Sequence, residues 1–325
     1  MSDLDSVAAR AHRFEVEHAR RLRALAYRML GSVADSEDIV QEAWLRWVAT
    51  NEETIASPGA FLSRLVTRLC LDHMKSAAVR REQYVGTWLP ELVPEHDEFI
   101  DPPSDPQNQA QRAQEVSVAF MLALERLTPL ERAALLLHDV FDLDYAQLAE
   151  HLDRDPAACR QLVSRARRNA RSERARRKVC AAERRTLFEA FANALSTHDV
   201  HRLAQILTSD AMLLADGGGK VSAARRPLHG AQTIARVLVG FAQLPRSASW
   251  HYVPALVNGE CGCLITNGES GALIQALVLE AAVEPGRIAR IYVQRNPDKL
   301  RQAARWLGEA AQADGRVTSA PPASS

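Results

Sequence analysis

The stretch Tyr145-Ala146-Gln147-Leu148-Ala149-Glu150-His151-Leu152-Asp153-Arg154-Asp155-Pro156-Ala157-Ala158-Cys159-Arg160-Gln161-Leu162-Val163-Ser164-Arg165-Ala166-Arg167-Arg168 decides the reading of this chain. It begins as a short amphipathic helix to Leu152 and turns through Asp153-Arg154-Asp155. It resumes as a second helix from Pro156 to Arg171. Asp155 suits the N-cap of the second helix and Pro156 its first turn, where a missing N–H costs nothing. Ala149 is small where two helices should cross closely. A short helix, a tight turn and a basic second helix make a helix-turn-helix. The basic character is strong. From Arg154 to Lys178 ten arginines and lysines face only Asp155 and Glu173, although the 325-residue chain has zero formal net charge. A basic stripe on a neutral protein is a local anion-binding surface, and nucleic acid is its leading candidate.

Just upstream, Thr128-Pro129-Leu130-Glu131 reads as a helix start, with Thr128 at the N-cap and Glu131 completing a capping box. Val116 to Leu127 reads as an amphipathic helix. From about Gln83 to Asn108 the texture changes: Pro90, Pro94, Pro102, Pro103 and Pro106 rule out a long helix, so this is a linker. Trp88-Leu89-Pro90-Glu91 stands out within it, because an exposed tryptophan in a linker should dock on a domain.

Before the linker, about Phe14 to Arg81 reads as three helices. Leu22, Leu25, Ala26, Met29 and Leu30 keep helical spacing up to Gly31. Asp35 is expected to cap the next helix, with Asp38 in the capping-box position. Its apolar face is Ile39, Val40, Ala43, Trp44 and Trp47, and its opposite face carries Glu37, Asp38, Gln41, Glu42 and Arg46. The third helix starts near Pro58 and presents Arg64, Arg68, Asp72, His73 and Lys75, followed by Arg80 and Arg81.

After Lys178 come two helices, the second capped by Asp199, and then strand-like runs at 211–215, 250–257, 261–266, 272–283 and 287–294, with a helix near 231–241. Helices followed by several antiparallel strands indicate an α+β domain. Pro285-Gly286 suits the last hairpin turn, and Asn296-Pro297-Asp298 starts a final helix. The tail from Ala313 is small and polar and is expected to be disordered. The five scattered cysteines suggest reduced thiols, and Cys261-Gly-Cys263 reads as two residues on one strand face rather than half of a metal site. With no signal-peptide pattern and no apolar run near the ~20 residues that span a bilayer, a soluble, cytoplasmic protein without membrane, metal or cofactor is expected.

These residues resemble a known family. Asp35 to Trp44 closely resembles the polymerase-binding helix of sigma-factor region two, and Leu124 to Ala170 resembles region four. Two such regions joined by a linker resemble the extracytoplasmic-function sigma factors. The C-terminal part is similar to the SnoaL-like extension of one group among them, through Trp88 to Leu92, Asp216 to Lys220 and Asn296 to Leu300. That group has proline where this chain has Leu92. The resemblance implies a multidomain chain of two all-α sigma domains followed by an α+β SnoaL-like cone. Its parts are region two at 10–82, a linker at 83–109, region four at 110–178, the SnoaL-like domain with its C-terminal helix at 183–312 and a tail at 313–325.

The resemblance further implies that core RNA polymerase and promoter DNA are the partners. Polymerase would be bound by Asp38, Gln41, Glu42 and Arg46. The minus-ten element would meet Arg64, Arg68, His73, Lys75 and Arg80, with the loop from Thr50 to Gly59 shaping a pocket for an extruded base. The minus-thirty-five element would be read by Ala157, Arg160, Gln161, Ser164, Arg165 and Arg168, which project from one face while Leu162, Val163 and Ala166 point inward. Regulatory contacts in cis are expected from Trp88, Pro90, Asp216, Gly217, Gly218, Gly219, Lys220, Asn296, Pro297 and Asp298, and a small ligand could occupy the cavity of the cone. The alternative is a helix-turn-helix regulator fused to a ligand-binding or enzymatic domain, in which Asp216, Arg225, Arg226 and His251 could supply acid and base groups. A lone histidine on a strand is more often structural, and a glycine run is more often a plain turn.

Overall fold

The computed structural model describes residues 9–50, 55–82, 84–94, 116–174 and 181–314. It falls into two compact units: one holds 1–83 and 96–175, the other 84–95 and 176–325.

In the first unit a π-helical turn, Phe14–Ala19, runs straight into α1 (Arg20–Leu30), which stops at Gly31 in the left-handed conformation, φ 68°. Helix α2 (Val33–Val48) is capped by Ser32, whose side chain accepts from Asp35 N–H. This corrects the expected start at Asp35: serine three residues earlier offers the same capping oxygen and lets the helix begin a turn sooner, leaving Asp35 to the first turn, where the helix dipole favours it. Helix α3 spans Pro58–Glu82.

After the linker comes α4 (Val118–Glu125), which is buried on nearly every side, through Val118, Ala119, Phe120, Met121, Ala123 and Leu124. It is a core helix rather than the amphipathic one expected, because helices pack around it. Helix α5 (Pro129–Asp139) carries the full Thr128/Glu131 capping box. Helix α6 (Tyr145–Leu152) is closed by Asp153 in the left-handed conformation, and α7 (Pro156–Arg174) starts with Asp155 Oδ1 accepting from Ala158 N–H at 2.8 Å. The helices before and after the linker pack on each other within this unit. Arg132 Nη1 donates to the Met29 carbonyl at 2.6 Å and lies 2.7 Å from Glu125, while Arg21 Nη2 donates to the Phe141 carbonyl at 3.1 Å. Helix α3 meets both α5 and α6.

In the second unit α8 (Ala181–Ser196) and α9 (Val200–Gln205) precede a six-stranded sheet: β1 (Leu207–Asp216), β2 (Leu228–His229), β3 (Trp250–Val257), β4 (Glu260–Asn267), β5 (Leu273–Ala281) and β6 (Ile288–Gln294), in the order β2-β1-β6-β5-β4-β3. Helix α10 (Ala231–Ala242) follows β2. The strands are antiparallel except β1 and β6, which run parallel. That pairing corrects the all-antiparallel expectation, and the two-residue β2 was too short to read as a strand. Helices α8, α9 and α10 cover one face, with Phe191, Leu203, Leu213, Ile234, Leu277 and Ile291 in the core. A 3-10 turn (Pro297–Leu300) and α11 (Arg301–Asp314) pack on β5. The helix extends to Asp314, one turn-end residue past the expected start of the tail, and the rest of that tail lies outside the described residues.

Candidate polymerase, promoter and strap sites

The face of α2 expected to meet polymerase is exposed at Glu37, Asp38, Gln41, Glu42 and Arg46. Arg46 pairs with Glu42 at 2.5 Å. Helical spacing brings Asp38, Gln41, Glu42 and Leu45 to one side, and Leu45 is 60% exposed. Leu45 was missed in the sequence because a single leucine inside an amphipathic helix reads as core. Its place is off the Ile39/Val40/Ala43/Trp47 stripe, and that register was the available signal.

On α3, Arg68 and Lys75 are exposed and Arg64 is half-buried. Lys75 lies 2.8 Å from Asp72, and His73 turns to Asp35 on α2 at 3.5 Å. The side chain of Arg80 and much of the loop between α2 and α3 lie outside the described residues. Arg64 is near enough to His151 of α6 for its charge to disfavour protonation there, although burial is the larger cause of that histidine's lowered pKa.

On α7 all six residues of the expected reading face are exposed: Ala157, Arg160, Gln161, Ser164, Arg165 and Arg168. The opposite side is packed, with Cys159, Val163, Ala166 and Ala170 fully covered and Leu162 nearly so. Arg160 lies over the Tyr145 ring, 5.2 Å from its centroid, and Arg165 is 3.5 Å from Glu131. Arg167 belongs to the scaffold: it donates from Nε and Nη2 to Asp139, the closest approach being 2.6 Å, and that hydrogen bond raises its pKa.

The third cluster lies wholly in the second unit. The segment from Tyr84 to Pro94 is a strap bound to the sheet edge and to the turn after β6. Asp216, fully buried at the end of β1, takes four donors: Tyr84 Oη at 2.6 Å, Leu89 N–H at 3.0 Å, Gly218 N–H at 2.9 Å and Lys299 Nζ at 2.8 Å. Lys299 also donates to the Leu89 carbonyl at 2.5 Å and lies 4.4 Å from the Trp88 ring centroid. Asn296 donates to Tyr84 Oη at 2.9 Å. Burial, and next the Asp216 carboxylate, push the Tyr84 phenol pKa well up, so it stays a donor. Gln294 Nε2 reaches the Pro90 carbonyl at 3.4 Å. Farther along, Val93 and Asn258 exchange hydrogen bonds at 2.9 and 3.0 Å.

Gly218 has φ 61°, and a Cβ there would come within 2.4 Å of Asn296 Nδ2, so the glycine serves close approach and not merely a turn. Lys220 pairs with Asp298, which Arg301 also holds at 2.8 Å, and these bonds keep the Asp298 carboxyl below the usual range. Lys299 was the residue missed: a lysine next to Leu300 at a helix start looks solvated, and only the fold buries it against a carboxylate. Leu92, where proline was the expectation, is fully buried.

With this geometry in view, comparison with known proteins is decisive. Residues 16–80 match the Sigma-70 region 2 family and residues 117–169 match Sigma-70 region 4. The ECF RNA polymerase sigma factor SigJ of Mycobacterium tuberculosis is 36% identical over 86% of this chain and 90% of its own length. This chain is an extracytoplasmic-function RNA polymerase sigma factor. A second relative, the probable ECF sigma factor SigI of the same species, is 32% identical over 95% of this sigma factor and 99% of itself. The crystal structure of SigJ superimposes with a TM-score of 0.66 at 32% identity, covering 87% of this chain and 95% of that one. Such coverage takes in the C-terminal unit, so the extension is shared. The sigma factor acts in transcription initiation, and the helix-turn-helix regulator reading gives way to it. No helix among its described residues is long and apolar enough to cross a membrane.

The acid and base candidates do not assemble. The second unit encloses a cavity of about 870 Å³, and Asp216, Arg225, Arg226 and His251 are all absent from its wall. Asp216 is committed to the strap, while Arg225, Arg226 and His251 are exposed.

Proposed function

We propose that this sigma factor is held in a closed, promoter-incompetent state by its own C-terminal domain, which acts in the cytoplasm as a regulator and not as an enzyme. The observation that carries the proposal is the grip on the strap. Tyr84 to Pro94 lies in the stretch that joins regions two and four in sequence, yet its polar groups are satisfied by Asp216, Asn258, Gln294, Asn296 and Lys299 of the C-terminal domain.

The packing within the first unit supports the same reading. The minus-ten and minus-thirty-five elements are about 25 base pairs apart, roughly 85 Å of duplex at 3.4 Å per pair. Helix α3, expected to meet the minus-ten element, touches α6, the helix that precedes and packs on α7, which is expected to read the minus-thirty-five element. Regions two and four must therefore part before both elements can be read. Release of the strap frees the covalent link that has to lengthen, which is a population shift between closed and open states. In the open state Asp38, Gln41, Glu42 and Arg46 engage core polymerase through charge complementarity. Arg64, Arg68, His73, Lys75 and Arg80 meet the minus-ten strand, and Ala157, Arg160, Gln161, Ser164, Arg165 and Arg168 read the minus-thirty-five duplex.

Run-off transcription with core polymerase tests this, on templates from the gene's own upstream region. The full chain is compared with Gly218→Ala and Lys299→Met, both of which loosen the strap. A several-fold rise in specific initiation by both variants is expected. Unchanged or lower initiation, with polymerase binding retained, would overturn the closed-state reading.

A further inference from the structure

The cavity of the C-terminal domain is well formed and apolar. Its 870 Å³ fall within the range of small-molecule sites. Phe188, Leu238, Phe241, Trp250 and Leu277 contribute to the wall, and Arg295 is the only lysine or arginine on it among the described residues. That arginine is incompletely satisfied. It donates from Nη1 to the Ser222 carbonyl, but its buried Nε has no protein partner among the described residues. Burial, and then the nearby charge of Arg246, pull its pKa down. A half-buried guanidinium beside a second cation, on a largely apolar wall, is a place where an anion gains and a neutral group does not. Glu189, also on the wall, is exposed and bonded to Arg185 at 3.2 Å.

Two of the strands that line this cavity, β1 and β6, also grip the strap. Side chains alternate across a sheet. On β1, Leu213 and Ala215 line the cavity while Asp216 holds Tyr84 and Leu89. On β6 and just past it, Val293 and Arg295 line the cavity while Gln294 and Asn296 hold Pro90 and Tyr84. The two sets are adjacent in the backbone, and Arg295 N–H donates to the Asp216 carbonyl at 2.7 Å.

We infer that the cavity binds a small amphipathic monoanion, an apolar body of about ten carbon atoms with a carboxylate or sulfonate at Arg295, and that occupancy changes the hold on the strap. This rests on the closed-state reading and supplies the signal that would act on it.

The test uses the full-length protein and 1-anilinonaphthalene-8-sulfonate as the probe. One saturable site is expected, with decanoate displacing the probe at least tenfold better than 1-decanol. Arg295→Met should abolish that preference, and Leu238→Trp, which fills the cavity, should abolish probe binding. Hydrogen exchange of the peptide covering Tyr84 to Pro94 should then change several-fold on addition of decanoate in the parent protein and not in Leu238→Trp. The inference is overturned by no saturable binding, by equal displacement with acid and alcohol, or by unchanged exchange in the strap. Those results leave the closed-state reading standing if the strap variants still raise initiation. Probe binding with no transcriptional effect of those variants sinks the reading instead, and the coupling with it.

Discussion

Lys299 Nζ lies 2.8 Å from Asp216 Oδ2, a pair 83 residues apart in sequence with the carboxylate fully buried and the ammonium almost so. Both charges are also hydrogen-bonded to the strap, at Leu89 N–H and at the Leu89 carbonyl. The pair is therefore three-cornered: it is completed only when the strap is in place, and the strap is held only when the pair is intact.

Removing one corner leaves an uncompensated buried charge. Lys299→Met or Asp216→Asn should each cost about 3–5 kcal/mol of stability in the C-terminal domain. The double variant should cost less than the sum, because no lone charge remains. Urea unfolding of the three variants measures the coupling, and strict additivity would show that the two charges do not interact.

Gly218 and Gly286 both have positive φ, 61° and 71°, but differ in surroundings. A Cβ at Gly286 meets nothing within 4 Å, whereas at Gly218 it strikes Asn296. Gly286→Ala should cost only the left-handed backbone penalty, ~1–2 kcal/mol. Gly218→Ala should cost more and expose the strap to proteolysis near Val85. Equal losses would mean that Asn296 simply moves aside.

The exposed face of α7 makes two kinds of prediction. Arg160→Ala or Arg165→Ala should cost ~1–3 kcal/mol of discrimination at one promoter position if the contact is to a base. A uniform loss with a smaller salt slope marks a phosphate contact. Arg167→Ala should instead lower thermal stability, because it removes the hydrogen bonds from Nε and Nη2 to the Asp139 carboxylate. Binding series over promoter variants, with holoenzyme, separate these cases.

Leu45→Ala should weaken binding to core polymerase while changing stability by less than about 0.5 kcal/mol, since the side chain is exposed in the free protein. Fluorescence anisotropy against core polymerase and a melting curve decide it. A loss of stability without a loss of affinity would return Leu45 to the scaffold.

His151 gives a pH dependence. Burial, with help from the Arg64 charge and against a hydrogen bond to the Gln147 carbonyl, lowers its pKa from the ordinary 6.5. The folded state thus prefers the neutral ring. Its contribution to stability is complete above pH ~6.5 and declines as the pH falls from there through the lowered folded value. The first unit should lose stability as the pH falls below about 6.5, and His151→Gln should flatten that part of the curve. A parallel decline in the variant would assign the effect to other groups.

Much of the helical architecture was readable directly. The Thr128/Glu131 capping box, the Asp155 cap, the Gly31 stop and the turn between α6 and α7 involve groups within a few residues of each other, so spacing and residue type specify them. The exposure of the six-residue face on α7 follows equally from helical periodicity. Ser32 in place of Asp35 as the cap of α2 shows the limit of such rules: two good capping residues three apart compete, and the packing of Val33, Ser36 and Val40 favours the earlier one.

What the sequence by itself determined is most of the local elements, the family they resemble and five of the six strands of the C-terminal sheet. It singled out the segments around Trp88, Asp216 and Asn296 as sources of regulatory contacts in cis, without saying which side chains would meet. Only the tertiary structure supplied the pairwise contacts among them, buried Lys299 against Asp216, paired β1 with β6 in parallel and divided the arginines of α7 between an exposed face and the bond to Asp139. Those outcomes depend on contacts 28 to 212 residues apart, which no local spacing encodes. A buried charge is tolerable only where a partner and hydrogen bonds converge on it, and that convergence exists only once the chain has folded.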